Sequence, residues 1–341
     1  MKETTLKEIA EQLGISVTTV SKALKGYPDV SPKTRKAVME LAEKWHYQPN
    51  SFAVNLRTRE SRTIGLIIPE VAHHFFSNVI DGIIGQAEQH GYLVIILQSN
   101  ESLELEKKQV ALLIQKRVDG ILMSLSNESN DDDHLREIVA RGIPFVQFDK
   151  ISKLIPSSKV IIDDRAAAAS AVQHLIDKGC RRIAHIRGPV NPQNAIDRFM
   201  GYKKALQDNG IAFDPSLVYT CERVTFEEGR AFAARIVDEH PDVDGLFAIT
   251  DLVAVGALDL FNERKVAVPE RIAVIGFSNW FMSQVINPPL SSIEQPGREI
   301  GEAAFGLLLE EMTAAREQTR PQPRTVSFPT RVVERKSTQR P

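Results

Sequence analysis

The sequence predicts two architectures in series: an all-α N-terminal headpiece with helix-turn-helix spacing, then a larger α/β core in two lobes with parallel sheets. Three observations carry this. Apolar residues recur at helical spacing through residues 4–46, with no strand pattern between them. From Thr63 the texture changes to short β-branched runs alternating with longer amphipathic stretches, as in parallel strands covered by helices on both faces. That series continues to Ile275 and restarts after Asp163, so two sheets fit it better than one.

In the headpiece, Leu6, Ile9, Ala10 and Leu13 fall on one helical face, and Gly14 can close that helix in the left-handed conformation. Ser16 can cap a second helix, with Val20, Ala23 and Leu24 on its buried side, until Gly26-Tyr27-Pro28 ends it. Ser31-Pro32 pairs a capping serine with proline at the first helical position, and Val38, Leu41, Ala42 and Trp45 mark a third buried stripe. Beyond Pro49, residues Asn50 to Thr58 are helical in composition, but a helix shorter than about 12 residues is marginal in water, so this segment reads as a conditionally folded linker.

In the core, strands are predicted over Thr63–Ile68, Tyr92–Leu97, Gly120–Ser124, Phe145–Phe148, Val160–Ile162, Arg182–Ile186, Gly245–Ile249 and Ile272–Ile275. Helices are predicted over Ser77–His90, Leu103–Lys116, Ala166–Lys178, Asn194–Asn209, Phe226–Glu239 and Leu252–Glu263. The tail from Arg316 to Pro341, rich in Arg, Thr, Pro and Gln, reads as loose at its end.

Composition narrows the function. The 341 residues are 43% hydrophobic and 25% charged, ordinary for a multidomain globular protein. No apolar run of about 18 residues occurs, and Met1 to Thr5 lack the stretch that follows a signal peptide's basic start, so neither membrane insertion nor export is expected. Cys180 and Cys221 stand far apart, which favours a reducing, cytoplasmic setting over a disulfide framework or zinc site. Net charge is −2, yet the first 62 residues hold eleven basic against seven acidic residues, a local +4. Any nucleic-acid surface therefore lies at the N-terminus.

The spacing from Leu6 to Leu24 is that of a helix-turn-helix, whose second helix enters the DNA major groove. Val17, Thr18, Ser21 and Lys22 would then be exposed. Val17 can press on a thymine methyl, Thr18 can donate or accept, and Lys22 can donate to guanine O6 and N7. Ser16, Thr19, Ser31 and Thr34 place hydroxyls at helix starts, where backbone N–H groups also face phosphates. A plain three-helix bundle with capped ends satisfies the same pattern.

Several separated motifs in order, Thr5 to Ala10, Gly14 to Ser21, Val30 to Arg35, Tyr47 to Asn50 and Pro289 to Pro296, resemble the LacI-type repressor family across nearly the whole chain. The resemblance implies a DNA-binding headpiece over 1–48 that includes Thr5, a hinge helix over 49–60 that includes Asn50, and an effector-binding and dimerisation core over 61–341. The core's N-lobe would take about 61–162 and 292–323, and its C-lobe about 163–291 and 324–341. Ala53 and Leu56 occupy the places where such hinge helices meet in the minor groove, and a leucine wedge there costs unstacking of a few kcal/mol but gains a bent duplex with more contact. The implied lobes are like a periplasmic sugar-binding protein, with a small polar effector in the cleft. Positions matching that pocket are Phe75, Phe76, Asp149, Asn194, Arg198, Asp251 and Ser278. The implied partners are a second copy of the chain and a near-palindromic operator, with no membrane partner and no cofactor.

Each pocket position has a plainer reading as well. Phe75 and Phe76 can be core residues, and Asp251 can cap its helix. Arg198, read as a surface arginine at a helix start, is disfavoured there by the helix dipole unless a ligand offsets it. Ser278 stands where many relatives carry aspartate, which makes a more anionic effector easier to accommodate. His73-His74 invites a metal reading, but neighbouring histidines diverge and no third ligand is apparent. An enzyme competes, since doubly wound sheets often carry catalysis, yet there is no glycine-rich dinucleotide turn, P-loop, Gly-x-Ser-x-Gly elbow or His-Glu-x-x-His. A transport receptor would share the lobes but have no use for residues 1–60.

Overall fold

The computed structural model describes residues 5–47, 60–319 and 322–340, which fall into two compact units, one ending at Ser61 and one beginning at Arg62. In the first unit, helices α1 (Leu6–Leu13), α2 (Val17–Leu24) and α3 (Pro32–Lys44) share a core of Ile9, Ala10, Val20, Ala23, Val38 and Ala42. Their boundaries follow local chemistry. Gly14, at φ 63°, ends α1 in the left-handed region that a side chain resists. Ser16 and Ser31 cap α2 and α3 by accepting from Thr19 N and Thr34 N, each at 3.1 Å.

The second unit holds two six-stranded sheets. In the first, β1 (Thr63–Ile68), β2 (Leu93–Gln98), β3 (Gly120–Met123), β4 (Phe145–Phe148), β5 (Ser158–Ile162) and β11 (Thr325–Phe328) run parallel in the order β11-β5-β4-β3-β1-β2. In the second, β6 (Ile183–Arg187), β7 (Val218–Thr220), β8 (Gly245–Ala248), β9 (Ala273–Phe277), β10 (Ser291–Glu294) and β12 (Arg331–Val333) follow the order β12-β10-β9-β8-β6-β7, with only β12 antiparallel. Around the first sheet lie α4 (His74–Gln89), α5 (Leu103–Lys116), α6 (Asp133–Ala140) and α11 (Gly297–Arg316). Around the second lie α7 (Asp164–Asp177), α8 (Gln193–Asp208), α9 (Phe226–Glu239) and α10 (Asp251–Glu263). Among the described residues no helix is long and apolar enough to cross a membrane.

Besides the short elements α6, β7, β10, β11 and β12, which were not predicted, three features differ from the sequence-based expectation. The chain changes lobes later than 292 and 324: β10 pairs with β9 in the second sheet, and β11 pairs with β5 in the first. Both strands are polar at half or more of their positions and lack the continuous apolar run that marks a strand buried on both faces. The helix α11 was not anticipated, because Gly297, Gly301 and Gly306 lower helix propensity. Two of the glycines in this pair of helices instead let backbones approach: a Cβ at Gly301 would lie 2.2 Å from Val79 O on α4, and one at Gly82 on α4 would lie 2.2 Å from Arg298 O. Finally, the tail is anchored. Ser337 is fully buried, its hydroxyl accepting from Ser291 N at 2.8 Å and donating to Val274 O at 2.6 Å.

Candidate nucleic-acid surface and effector cleft

Within the first unit, α2 turns Val20 and Ala23 inward, which leaves Val17, Thr18, Ser21 and Lys22 together on the opposite face. Val17 and Thr18 are exposed; Ser21 and Lys22 are half-buried. The Lys22 ammonium pairs with Asp29, which raises the lysine's pKa and lowers the aspartate's through their hydrogen bond. The remaining headpiece positions are cap devices. Thr5 forms a capping box with Glu8, and the hydroxyl pairs Ser16–Thr19 and Ser31–Thr34 each sit 2.8 Å apart. Asn50, Ala53 and Leu56 lie outside the described residues.

In the second unit a cleft of about 100 Å³ is lined from both lobes. Its residues follow the carboxyl ends of parallel strands, the place where open α/β sheets present their loops. The lining backbone is strained. Glu101 (φ 61°), Asp149 (φ 56°), Val224 (φ 60°) and Ser278 (φ 99°) all adopt the left-handed region without being glycine. Such conformations cost roughly 1–3 kcal/mol each and cluster where function fixes side chains.

Six of the seven predicted cleft residues line it. Phe75 and Phe76 do so while also belonging to the hydrophobic core, as the plainer reading had it, their rings meeting edge to face at 5.3 Å. Asp149 accepts from Asn194 Nδ2 at 3.2 Å and from Ser124 Oγ at 3.3 Å, and burial raises its pKa. Ser278 donates to Gln295 Oε1 at 2.7 Å.

Arg198 lines the cleft for a different reason from the one the sequence offered. It is not a surface residue of the first turn but 4% exposed on the second turn of α8. Its Nε donates to Asp164 Oδ1 at 2.8 Å, its Nη1 donates to Ile249 O at 3.0 Å, and the guanidinium lies 3.7 Å from the centre of the Phe277 ring. Burial lifts Asp164 to about 7 despite this partner.

Asp251 is the exception. Its carboxylate accepts from Ser292 Oγ at 2.6 Å, Ser283 Oγ at 2.8 Å and Trp280 N at 2.6 Å, so it braces the loop after β9 instead of facing the cleft. Nor does it cap its helix, since Thr250 accepts from Val253 N. A Cβ at Gly276 would sit 2.2 Å from Asp251 Oδ1, so glycine makes room for this brace.

Sequence reading passed over Lys150 and Glu101 and weighed His73 only against a metal site, yet all three line the cleft. Lys150, 6% exposed, donates to both oxygens of Glu101 at 2.7 Å and to Asn127 Oδ1 at 2.9 Å. His73 Nδ1 is buried with no hydrogen-bond partner among the described residues, and desolvation, with Lys150 and Arg198 nearby, pushes this imidazole down to about 4. The His73 and His74 rings diverge, His73 toward Phe76 and His74 toward Phe281. The only sequence signal for Lys150 and Glu101 was their position just after predicted strands.

Comparison with known proteins matches both units. A family model described as bacterial regulatory proteins, lacI family, matches residues 5–50, and one described as periplasmic binding protein-like domain matches 172–338. The transcriptional repressor CytR of Escherichia coli (strain K12) is 35% identical over 309 residues, covering 90% of this chain and 89% of that protein. The ribose operon repressor of Halalkalibacterium halodurans is 31% identical over 312 residues, 91% and 90% of the respective chains. Among solved structures, the lac repressor dimer bound to operator and the anti-inducer ONPF superposes with a TM-score of 0.87 at 26% identity, over 99% of each chain. A complex of the transcriptional regulator CelR with cellobiose gives 0.74 at 28% identity, over 98% of this chain and all of that one.

Proposed function

Because the chain belongs to the LacI family of bacterial transcriptional regulators, we propose that it acts in the cytoplasm as a homodimeric repressor whose grip on a near-palindromic operator is set by a small polar effector in the cleft. Its activity is DNA binding, not catalysis. The observation that carries the reading is the outward face of α2, where Val17, Thr18, Ser21 and Lys22 stand together opposite Val20 and Ala23. A helix fits the major groove, where these side chains would read base edges. The capped starts of α2 and α3, at Ser16, Thr19, Ser31 and Thr34, would face phosphates, with Thr5 at the start of α1.

The operator is twofold because a dimer presents two α2 helices. The segment around Asn50, Ala53 and Leu56 supplies the hinge, and the ligand in the cleft biases the lobes toward or away from the arrangement that orders it. Phe75, Phe76, Asp149, Asn194, Arg198 and Ser278 contact that ligand. Domain limits near 48 and 60 follow from this division of labour.

Selection of duplexes from a random pool by the purified chain tests the reading. Enriched sites should be near-palindromes that outcompete random DNA by roughly 10³-fold or more at physiological salt. Enrichment of no sequence would overturn it.

A further inference from the structure

Glu106 on α5 is fully buried, and its three hydrogen-bond donors among the described residues all come from one later stretch of chain. Its Oε2 accepts from Ser126 N at 2.5 Å. Its Oε1 accepts from Ser129 Oγ at 2.7 Å and from His134 Nε2 at 2.8 Å, the imidazole donating because a carboxylate can only accept. Packing does not need this node. Val110 and Leu113 of α5 already share one apolar cluster with Leu125, Leu135 and Ile138, and a buried carboxylate is a poor source of stability beside apolar side chains of its size. What the node fixes is the path of residues 126–132. Asn127, which follows Ser126 directly, donates from its backbone N to Glu101 Oε2 at 2.7 Å and accepts on Oδ1 from Lys150 Nζ at 2.9 Å. On the other side of Ser126, Leu125 N donates to Lys150 O at 2.9 Å. Glu101, Asn127 and Lys150 line the cleft, and Glu106 lies behind them.

We propose that Glu106 is a positioning residue of the effector site: it holds the loop so that Asn127 and Lys150 keep their places in the cleft wall, through a carboxylate that an amide cannot replace. This inference rests on the reading of the cleft as the effector site. Three donors converge on two acceptor oxygens. Glutamine offers one oxygen and would turn its NH2 against either Ser126 N–H or the Ser129–His134 pair, with the side-chain shape unchanged. The link to the cleft is contiguous, since only the bonded neighbours Ser126 and Asn127 stand between Glu106 and Lys150.

The test uses Glu106→Gln in the full-length chain and reads amide hydrogen exchange first, because that needs no ligand. Exchange at Leu125 and Asn127 should quicken by roughly tenfold or more, while Val110 and Leu113 keep their rates. Unchanged rates at Leu125 and Asn127 overturn the proposal. So does a uniform rise through α5 and α6, which marks a plain structural loss. Should the glutamine variant not fold, Ser129→Ala removes one donor and should give a smaller rise at the same amides. Calorimetry with ribose, cellobiose and adenosine then compares the effect of Glu106→Gln in the unaltered chain with its effect in Asn127→Ala. For any probe that binds, the expected loss of affinity is roughly tenfold in the first background and below about twofold in the second, with operator affinity in the absence of ligand unchanged. Equal losses in both backgrounds overturn the proposal. Quickened exchange at both amides, joined to ligand binding that leaves operator affinity unmoved, would support the positioning role while sinking the regulatory reading on which it builds.

Discussion

Asn194 on α8 donates from Nδ2 to Asp149 Oδ1 at 3.2 Å, linking the C-lobe to the loop after β4 in the N-lobe. Both residues line the cleft, so a ligand bound there would adjoin this link between the lobes. Asn194→Ala is expected to shrink the effector-induced change in operator affinity while costing only about 1 kcal/mol of stability, the worth of one neutral hydrogen bond. Fluorescence anisotropy on a labelled operator, with and without effector, reads this directly. An undiminished response removes the link from the mechanism.

Arg198→Ala should abolish the response to effector and leave operator affinity without effector nearly intact. Arg198→Lys should restore little, because an ammonium cannot reach Asp164 and Ile249 O together while lying flat over Phe277. Retained response in the alanine variant would take Arg198 out of the binding surface.

Asp164 makes a signed pH prediction. Its folded value of about 7 stands above the ordinary 3.8, so the native state holds more protons than the unfolded chain between those limits. Its contribution to stability is therefore greatest below about pH 4, declines as pH rises through the window, and is flat above about 7. Asp164→Asn lacks this titration, so its stability relative to the unaltered chain should improve steadily from about pH 4 to 7. Urea melts across that range measure the difference, and a pH-independent difference contradicts the assignment.

Two alanines on the same helix separate packing from propensity. Gly301→Ala would drive a Cβ to 2.2 Å from Val79 O, a strain of about 1–3 kcal/mol or more that outweighs the gain of about 1 kcal/mol in helix propensity. Gly306→Ala meets nothing within 4 Å and should keep the propensity gain. Denaturant unfolding should move in opposite directions for the two, and equal shifts would refute the close α4–α11 crossing.

What could be read from the chain was local. Ser16, Ser31, Pro32 and Gly14 act through neighbours three or four positions away, so the headpiece helices were legible nearly to their ends. The long apolar strands were legible for the same reason. Short strands such as Ser291–Glu294 were not, because only Ile293 is apolar and the rest is held by β9, β12 and the Ser292–Asp251 bond. Asp251 looked like a cap or a ligand group, yet its partners lie 29 to 41 residues away. The Lys150–Glu101 pair spans 49 residues and follows no periodicity, so the electrostatic balance of the cleft emerges only in three dimensions.

The groove-facing role of α2 is separable from simple charge. Lys22→Ala should cost about 1–3 kcal/mol on the preferred operator and relax base preference at one position. Asp29→Asn, which releases Lys22 from its partner, should instead strengthen binding to random DNA at low salt. Uniform weakening by Lys22→Ala on every sequence would assign the lysine to a phosphate.

The most direct measurement is a titration of a selected duplex with the full-length chain at physiological salt, repeated in the presence of a ligand that binds the cleft. The account predicts a preference over scrambled duplex of roughly 10³-fold or more, and a ligand-induced shift of roughly 5- to 150-fold in operator affinity. Equal affinity for selected and scrambled duplexes, unchanged by any cleft ligand, would contradict it.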